Sequence, residues 1–230
     1  MKALEKIFGI KIDNPQNFKR ALTHPSYTQE NNLDFVECYE RLEFLGDAVL
    51  KLSVSDILFE KFPDFPEGEM SKIRSIVVSD ATLFNLAQKI GLPELLIIGK
   101  HEEKQGCRKL ESICACAFEA ILGAYYLDGK FLEVKDFIKK NLNPYIEDVH
   151  KNGAKYNAKA ILQEYTQGLT KETPKYIVVE ELGPEHNKIF VIDVSYQDKI
   201  LARGEGKTKK EAEQHAAYEA CKVLGVIENV

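Results

Sequence analysis

The chain of 230 residues is long enough for one large or two modest domains. Its apolar and charged fractions, 44% and 29%, are those of an ordinary globular protein. No run approaches the ~20 consecutive apolar residues of a membrane span, and the opening Met1-Lys2-Ala3-Leu4-Glu5-Lys6 carries an acid and no apolar core segment, unlike a signal peptide. The expectation is a cytoplasmic protein with no membrane partner.

The net charge of −5 argues against a uniformly basic nucleic-acid binder, but it is unevenly spread. Residues 151–230 balance 12 bases against 12 acids, so residues 1–150 carry the whole excess. A local concentration of carboxylates is what a bound cation requires, while local lysine clusters still suffice for phosphate contacts. The five cysteines, Cys38, Cys107, Cys114, Cys116 and Cys221, are odd in number and form no CxxC pair. That pattern speaks against a disulfide framework or a standard zinc module and for small buried apolar residues.

Apolar residues recur at spacings of three and four over 36–61, 70–89 and 108–127, which is the helical period. Turn formers separate the runs: Pro63-Asp64-Phe65-Pro66-Glu67-Gly68, Gly91-Leu92-Pro93 and Asp128-Gly129. An all-α first domain over 1–149 is expected. Within its first run, Glu40, Glu43 and Asp47 fall three and four apart and line one helix face. Like charges so placed destabilise a helix unless a counter-charge offsets them, and a divalent cation is the usual reason for converging carboxylates. Glu40 can instead belong to a solvated acidic stripe, whereas Asp47 sits within the apolar run from Phe44 to Leu50. Glu119 lies alone among Ala115-Cys116-Ala117-Phe118 and Ala120-Ile121-Leu122-Gly123-Ala124, a costly place for an acid that is neither paired nor metal-bound. The small residues around it would let that helix approach the first one closely.

The polar and small residues from His150 to Lys155 read as a flexible linker, taken as 150–156. Beyond it, 157–169 is helical, with Leu162 and Tyr165 for the core and Gln163 and Glu164 presented outward. Tyr176-Ile177-Val178-Val179, 189–194 and 200–204 read as strands, and 209–224 as a helix rich in alanine. The order α-β-β-β-α defines a second, α+β domain over 157–226. Lys207, Lys209 and Lys210 stand at the start of its last helix, where point charges, free N–H groups and the positive dipole end suit a phosphate row.

This segment resembles the double-stranded RNA-binding domain in its element order, in the loop Gly183-Pro184-Glu185-His186 and in Lys209-Lys210-Glu211-Ala212. The resemblance implies that Gln163, Glu164 and His186 reach minor grooves and that Lys207, Lys209 and Lys210 meet phosphates, with recognition by A-form shape. Glu213 stands where many such domains have a third lysine, which implies moderate affinity. The first domain resembles the ribonuclease III family. It carries the string Glu40-Arg41-Leu42-Glu43-Phe44-Leu45-Gly46-Asp47 without change. Ala21-Leu22-Thr23-His24-Pro25-Ser26-Tyr27, Glu67-Gly68-Glu69-Met70-Ser71 and Glu111-Ser112-Ile113 leading to Phe118-Glu119-Ala120 belong to the same pattern. That resemblance implies a homodimer, joined through the nuclease domain, that hydrolyses double-stranded RNA to short 3′ overhangs during processing of rRNA and other structured precursors. It also implies Mg²⁺, or Mn²⁺ in its place, held by Glu43, Asp47 and Glu119. Asp47 and Glu119 would be the catalytic acids, with Glu40 and Glu67 as outer supporting acids.

One position departs from the family pattern: Cys116 occupies the place of its fourth carboxylate, on the same helix face as Glu119. Sulfur is a soft ligand, poor for magnesium and good for zinc. Three outcomes follow from the sequence: a working site with water in place of the lost oxygen, a duplex-RNA binder with impaired cleavage, or a thiolate that recruits zinc or manganese. A purely structural RNA-binding protein is a further alternative. Glu43, Asp47 and Glu119 argue against it, because a scaffold needs no unpaired acids on facing helices.

Overall fold

The computed structural model describes residues 1–184 and 188–227. The chain divides into two compact units, Met1–Val149 and His150–Val230. The first unit begins with three short helices, α1 (Lys2–Phe8), α2 (Pro15–Ala21) and α3 (Pro25–Glu30). Proline opens α2 and α3, where its missing N–H costs nothing, and side chains of Asn14 and His24 cap them. Then follow α4 (Glu40–Lys61), α5 (Glu67–Val77), α6 (Asp80–Lys89), α7 (Lys100–Lys104), α8 (Glu111–Leu127) and α9 (Phe131–Tyr156).

The 70–89 run is two helices rather than one. Ser79 interrupts it, because its extended backbone and a hydroxyl that accepts from the Thr82 N–H start a new helix at Asp80. That break turns α6 toward α8 instead of continuing α5. The expected linker also differs: helix continues through Lys155 and Tyr156, with non-helical backbone at Asn152 alone. Ala154 and Lys155 are good helix formers, and the Asn152-Gly153 pair supplies only a local kink.

α8 is the buried centre of the first unit. Ala115, Ala117, Phe118, Ala120, Ile121, Leu122, Ala124 and Tyr125 are all at most 1% exposed. They meet Leu50, Val54, Ile57 and Leu58 of α4 and the Leu83 and Leu86 stripe of α6 in one continuous core. Burying each such large apolar side chain is worth ~1.5–3 kcal/mol, so α8 is the element around which the rest assembles. Among the described residues no helix is long and apolar enough to cross a membrane.

The second unit holds α10 (Ala158–Thr170), then β1 (Lys175–Leu182), β2 (Ile189–Tyr196) and β3 (Lys199–Gly206), and finally α11 (Lys209–Val223). The strands form an antiparallel sheet in the order β1-β2-β3, with a register shift between Val178 and Glu180. Alanines 212, 216, 217 and 220 of α11 are fully buried, the last three in a core shared with α10 and β2. They let the helix lie so close to β3 that a side chain at Gly204 would come within 2.1 Å of the Ala216 nitrogen. Leu162 is buried as expected, but Tyr165 is 37% exposed and Thr166 fills the core position on that face. The Thr166 hydroxyl bonds to the Leu162 carbonyl, which satisfies it there.

Candidate nuclease centre and RNA-binding surface

Glycines fix where α4 and α8 cross. A Cβ at Gly46 would stand 1.7 Å from the Glu119 carbonyl oxygen, and one at Gly123 would stand 2.3 Å from that of Leu42. Both separations are impossible, so each helix backbone rests directly on the other. This contact sets Asp47, next to Gly46, beside Glu119.

The result is a cavity of about 740 Å³ lined by Glu40, Glu43, Phe44, Asp47, Lys51, Ser75, Val78, Asp80 and Glu119. Five carboxylates from three helices therefore face one volume. Two of the five, Glu119 and Glu43, titrate high, mainly through burial. Burial, reinforced by Asp47, Glu43 and Asp80, pushes the Glu119 carboxyl up to about 8, with Lys51 opposing. Burial also raises the Glu43 carboxyl, as do the charges of Glu40, Asp80 and Asp47, while a hydrogen bond from Cys116 works the other way. Among the described residues no three acidic, thiol or imidazole donors already converge on one point; the acids surround the cavity.

Lys51 pairs with Asp47 at 2.7 Å, one helical turn apart. The pair is well solvated and worth little in stability, but it places the cavity's one lysine among its acids. Glu40 lies at the rim, with the Cys38 thiol 3.6 Å from its Oε2. Cys116 bonds to the Glu43 carboxylate but is not itself among the residues that line the cavity. Burial, the bond to Glu43 and the surrounding acids push its thiol strongly up, so it is a neutral donor. Glu67 does not join the cavity. It opens α5 and accepts from the Ser71 hydroxyl at 2.5 Å, outside the lining residues.

Two charged lining residues, Lys51 and Asp80, escape the sequence reading. Lys51 follows Asp47 by one turn and was legible in principle from the i, i+4 rule. Asp80 was not, because its arrival depends on the break at Ser79 and the packing of α6 on α8.

A second, apolar groove adjoins the cavity and shares Glu40 and Phe44 with it. Phe35, Val36, Leu45 and Leu127 contribute to its walls. Phe44, within the signature string, is 83% exposed, and Phe35 is 71% exposed.

On the second unit, Gln163 and Glu164 are exposed on α10, and Lys207, Lys209 and Lys210 are exposed at the start of α11. Thr208 caps that helix by accepting from the Glu211 N–H at 3.1 Å, and the Glu211 carboxylate accepts from the Lys207 N–H at 2.8 Å. The lysine row thus stands on a well-made helix terminus. Lys209 also lies 5.5 Å over the Phe190 ring. Glu213, in the place of a third lysine, is paired with Lys159. His186 lies outside the described residues.

Residues 14–146 match the family described as Ribonuclease-III-like, and residues 158–224 match the Double-stranded RNA binding motif. The chain belongs to the ribonuclease III family. It is 47% identical over 197 residues to Ribonuclease 3 of Syntrophomonas wolfei, covering 86% of this chain and 83% of that protein. To Ribonuclease 3 of Staphylococcus epidermidis it is 41% identical over 219 residues, covering 95% and 89%. Among solved structures, the nuclease domain of ribonuclease III from Campylobacter jejuni superposes with a TM-score of 0.56 at 34% identity, over 61% of this chain and 96% of that one. The ribonuclease III match lies on the helical unit that holds the acidic cavity, and the RNA-binding match on the unit with the lysine row. The alternative of a duplex binder with impaired cleavage finds no support in these likenesses.

Proposed function

We infer that this ribonuclease III chain is a metal-dependent endoribonuclease that hydrolyses phosphodiesters in double-stranded RNA. The observation that carries the reading is the cavity where α4 and α8 touch, whose lining holds five carboxylates and, among the described residues, one base, Lys51.

The donor set fits a hard divalent cation. Glu43, Asp47 and Glu119 offer oxygen ligands, the kind magnesium prefers, and burial together with neighbouring acids raises the carboxyls of Glu43 and Glu119, a cost that a bound cation would offset. We assign these three as metal-holding residues, with Asp47 and Glu119 closest to the chemistry and Glu40 supporting from the rim. Mg²⁺ is the ion proposed, with Mn²⁺ as a substitute. A bound cation of this kind activates a water and stabilises charge on the attacked phosphate. The protein's own part is to fix the acids rigidly through the Gly46–Gly123 contact, and to keep Cys116 protonated and directed at Glu43, which orients that carboxylate. Lys51 holds Asp47 in place until a cation or a phosphate competes for it.

The second unit would bring the duplex. Gln163 and Glu164 suit 2′-hydroxyls, and Lys207, Lys209 and Lys210 suit phosphates across the intervening groove. We further propose that the active species is a homodimer through the nuclease domain, with the groove around Phe44 as the contact. A ring so exposed beside an apolar groove is what an interface leaves bare in one subunit. The Campylobacter nuclease-domain structure is described as having a region involved in dimer formation. Two centres in such a dimer would leave short 3′ overhangs on substrates such as rRNA precursors, in the cytoplasm.

A long RNA duplex incubated with the protein in Mg²⁺ should be cut to short duplexes. Glu119→Gln should shift the same duplex without cutting it. A variant that cuts as well as the unchanged chain would remove Glu119 from the mechanism.

A further inference from the structure

We propose that Asp80, at the start of α6, is a carboxylate donor to the divalent cation of this centre and supplies the negative charge that Cys116 does not. The inference rests on the metal-dependent reading above.

Asp80 lines the same cavity as Glu43, Asp47 and Glu119, and comes from a third helix. It thus faces acids that come from two other helices, α4 and α8. Its backbone is fixed: Ser79 caps α6, and the Ser79 and Thr82 hydroxyls both bond to the Ile76 carbonyl, tying the helix start to the end of α5. The carboxylate itself is exposed to the cavity and has no ion-pair partner among the described residues. An acid in the first turn also favours the helix dipole, but that role is met anywhere on the turn and does not call for a place facing four other acids. On α8, Cys116 carries a soft sulfur and no hard oxygen. Position 116 therefore supplies no carboxylate beside Glu119, and the cavity gains one from α6 at 80.

The test is Mn²⁺ binding to the full-length protein without RNA, read by the electron paramagnetic resonance of free Mn²⁺, alongside thermal melting. Asp80→Asn should weaken binding roughly tenfold, the scale seen when a supporting ligand is lost. Adding Cys116→Asp to it should restore most of the affinity. Asp80→Asn binding Mn²⁺ like the unchanged chain, with Glu119→Gln weakened, would overturn the role of Asp80 and leave the metal centre standing. A lower melting temperature with unchanged Mn²⁺ affinity would do the same, making Asp80 a helix-start residue only. If neither the unchanged chain nor any variant binds Mn²⁺, the metal-dependent reading fails and this inference with it.

Discussion

The Glu119 carboxyl is the residue on which electrostatics and function meet. Its ionised form is disfavoured in the fold, because burial and three neighbouring acids hold its pKa at about 8, above the ordinary 4.5. The linkage sign follows. Stability from the protonated carboxyl is fully present below pH 4.5 and is lost progressively as pH rises toward 8. In chelator, the melting temperature should therefore decline across that window, and Glu119→Gln should flatten the decline. A pH profile identical in the two proteins would contradict the burial of this charge. The residue scale is also where the sequence was most legible. Glu43, Asp47 and Glu119 stood out because helical periodicity alone puts acids at 43 and 47 on one face and leaves 119 isolated among alanines. Glu67, implied as an outer acid, bonds to Ser71 and is not in the cavity lining, a placement that local sequence does not specify.

At the scale of elements, the crossing of α4 and α8 governs the site. Gly46→Ala would force a methyl against the Glu119 carbonyl, and overpacking of this kind costs ~1–3 kcal/mol or more. Because the contact is backbone to backbone, the helices must separate. We expect a marked drop in melting temperature together with loss of cleavage out of proportion to it, checked by calorimetry and a cleavage assay on the remaining folded protein. Gly68, which has open space around it near the exposed start of α5, is the control, and Gly68→Ala should leave cleavage unchanged and not lower the melting temperature. The small residues near Glu119 signalled this close approach in the sequence, but the partner glycine at 46 became meaningful only once α8 was seen lying across it. Likewise the 70–89 run and the 150–156 segment were read by composition, whereas a serine cap divides the first and helix-forming residues extend α9 through the second.

At the scale of the whole molecule, two separable surfaces are expected to do separable work. Lys209→Ala with Lys210→Ala should weaken duplex binding and reduce its salt dependence by about two counterions' worth, uniformly across sequences. A retained salt slope would count against the phosphate role. Phe44→Asp should give a monomer by light scattering and poor cleavage, while binding of duplex RNA by the second unit persists. A stable dimer in that variant would displace the groove as the interface. The two-unit order was readable from the change of period near residue 150. The exposure of Phe44 was not, since within an amphipathic helix it looks like one more core residue.

The most direct test compares cleavage of a long RNA duplex in Mg²⁺ by the unchanged chain and by Cys116→Asp. The unchanged chain is expected to shorten the duplex to small double-stranded products, with the variant at most several-fold faster. A duplex bound but left intact by the unchanged chain, and cut only after the cysteine is replaced, would contradict this expectation.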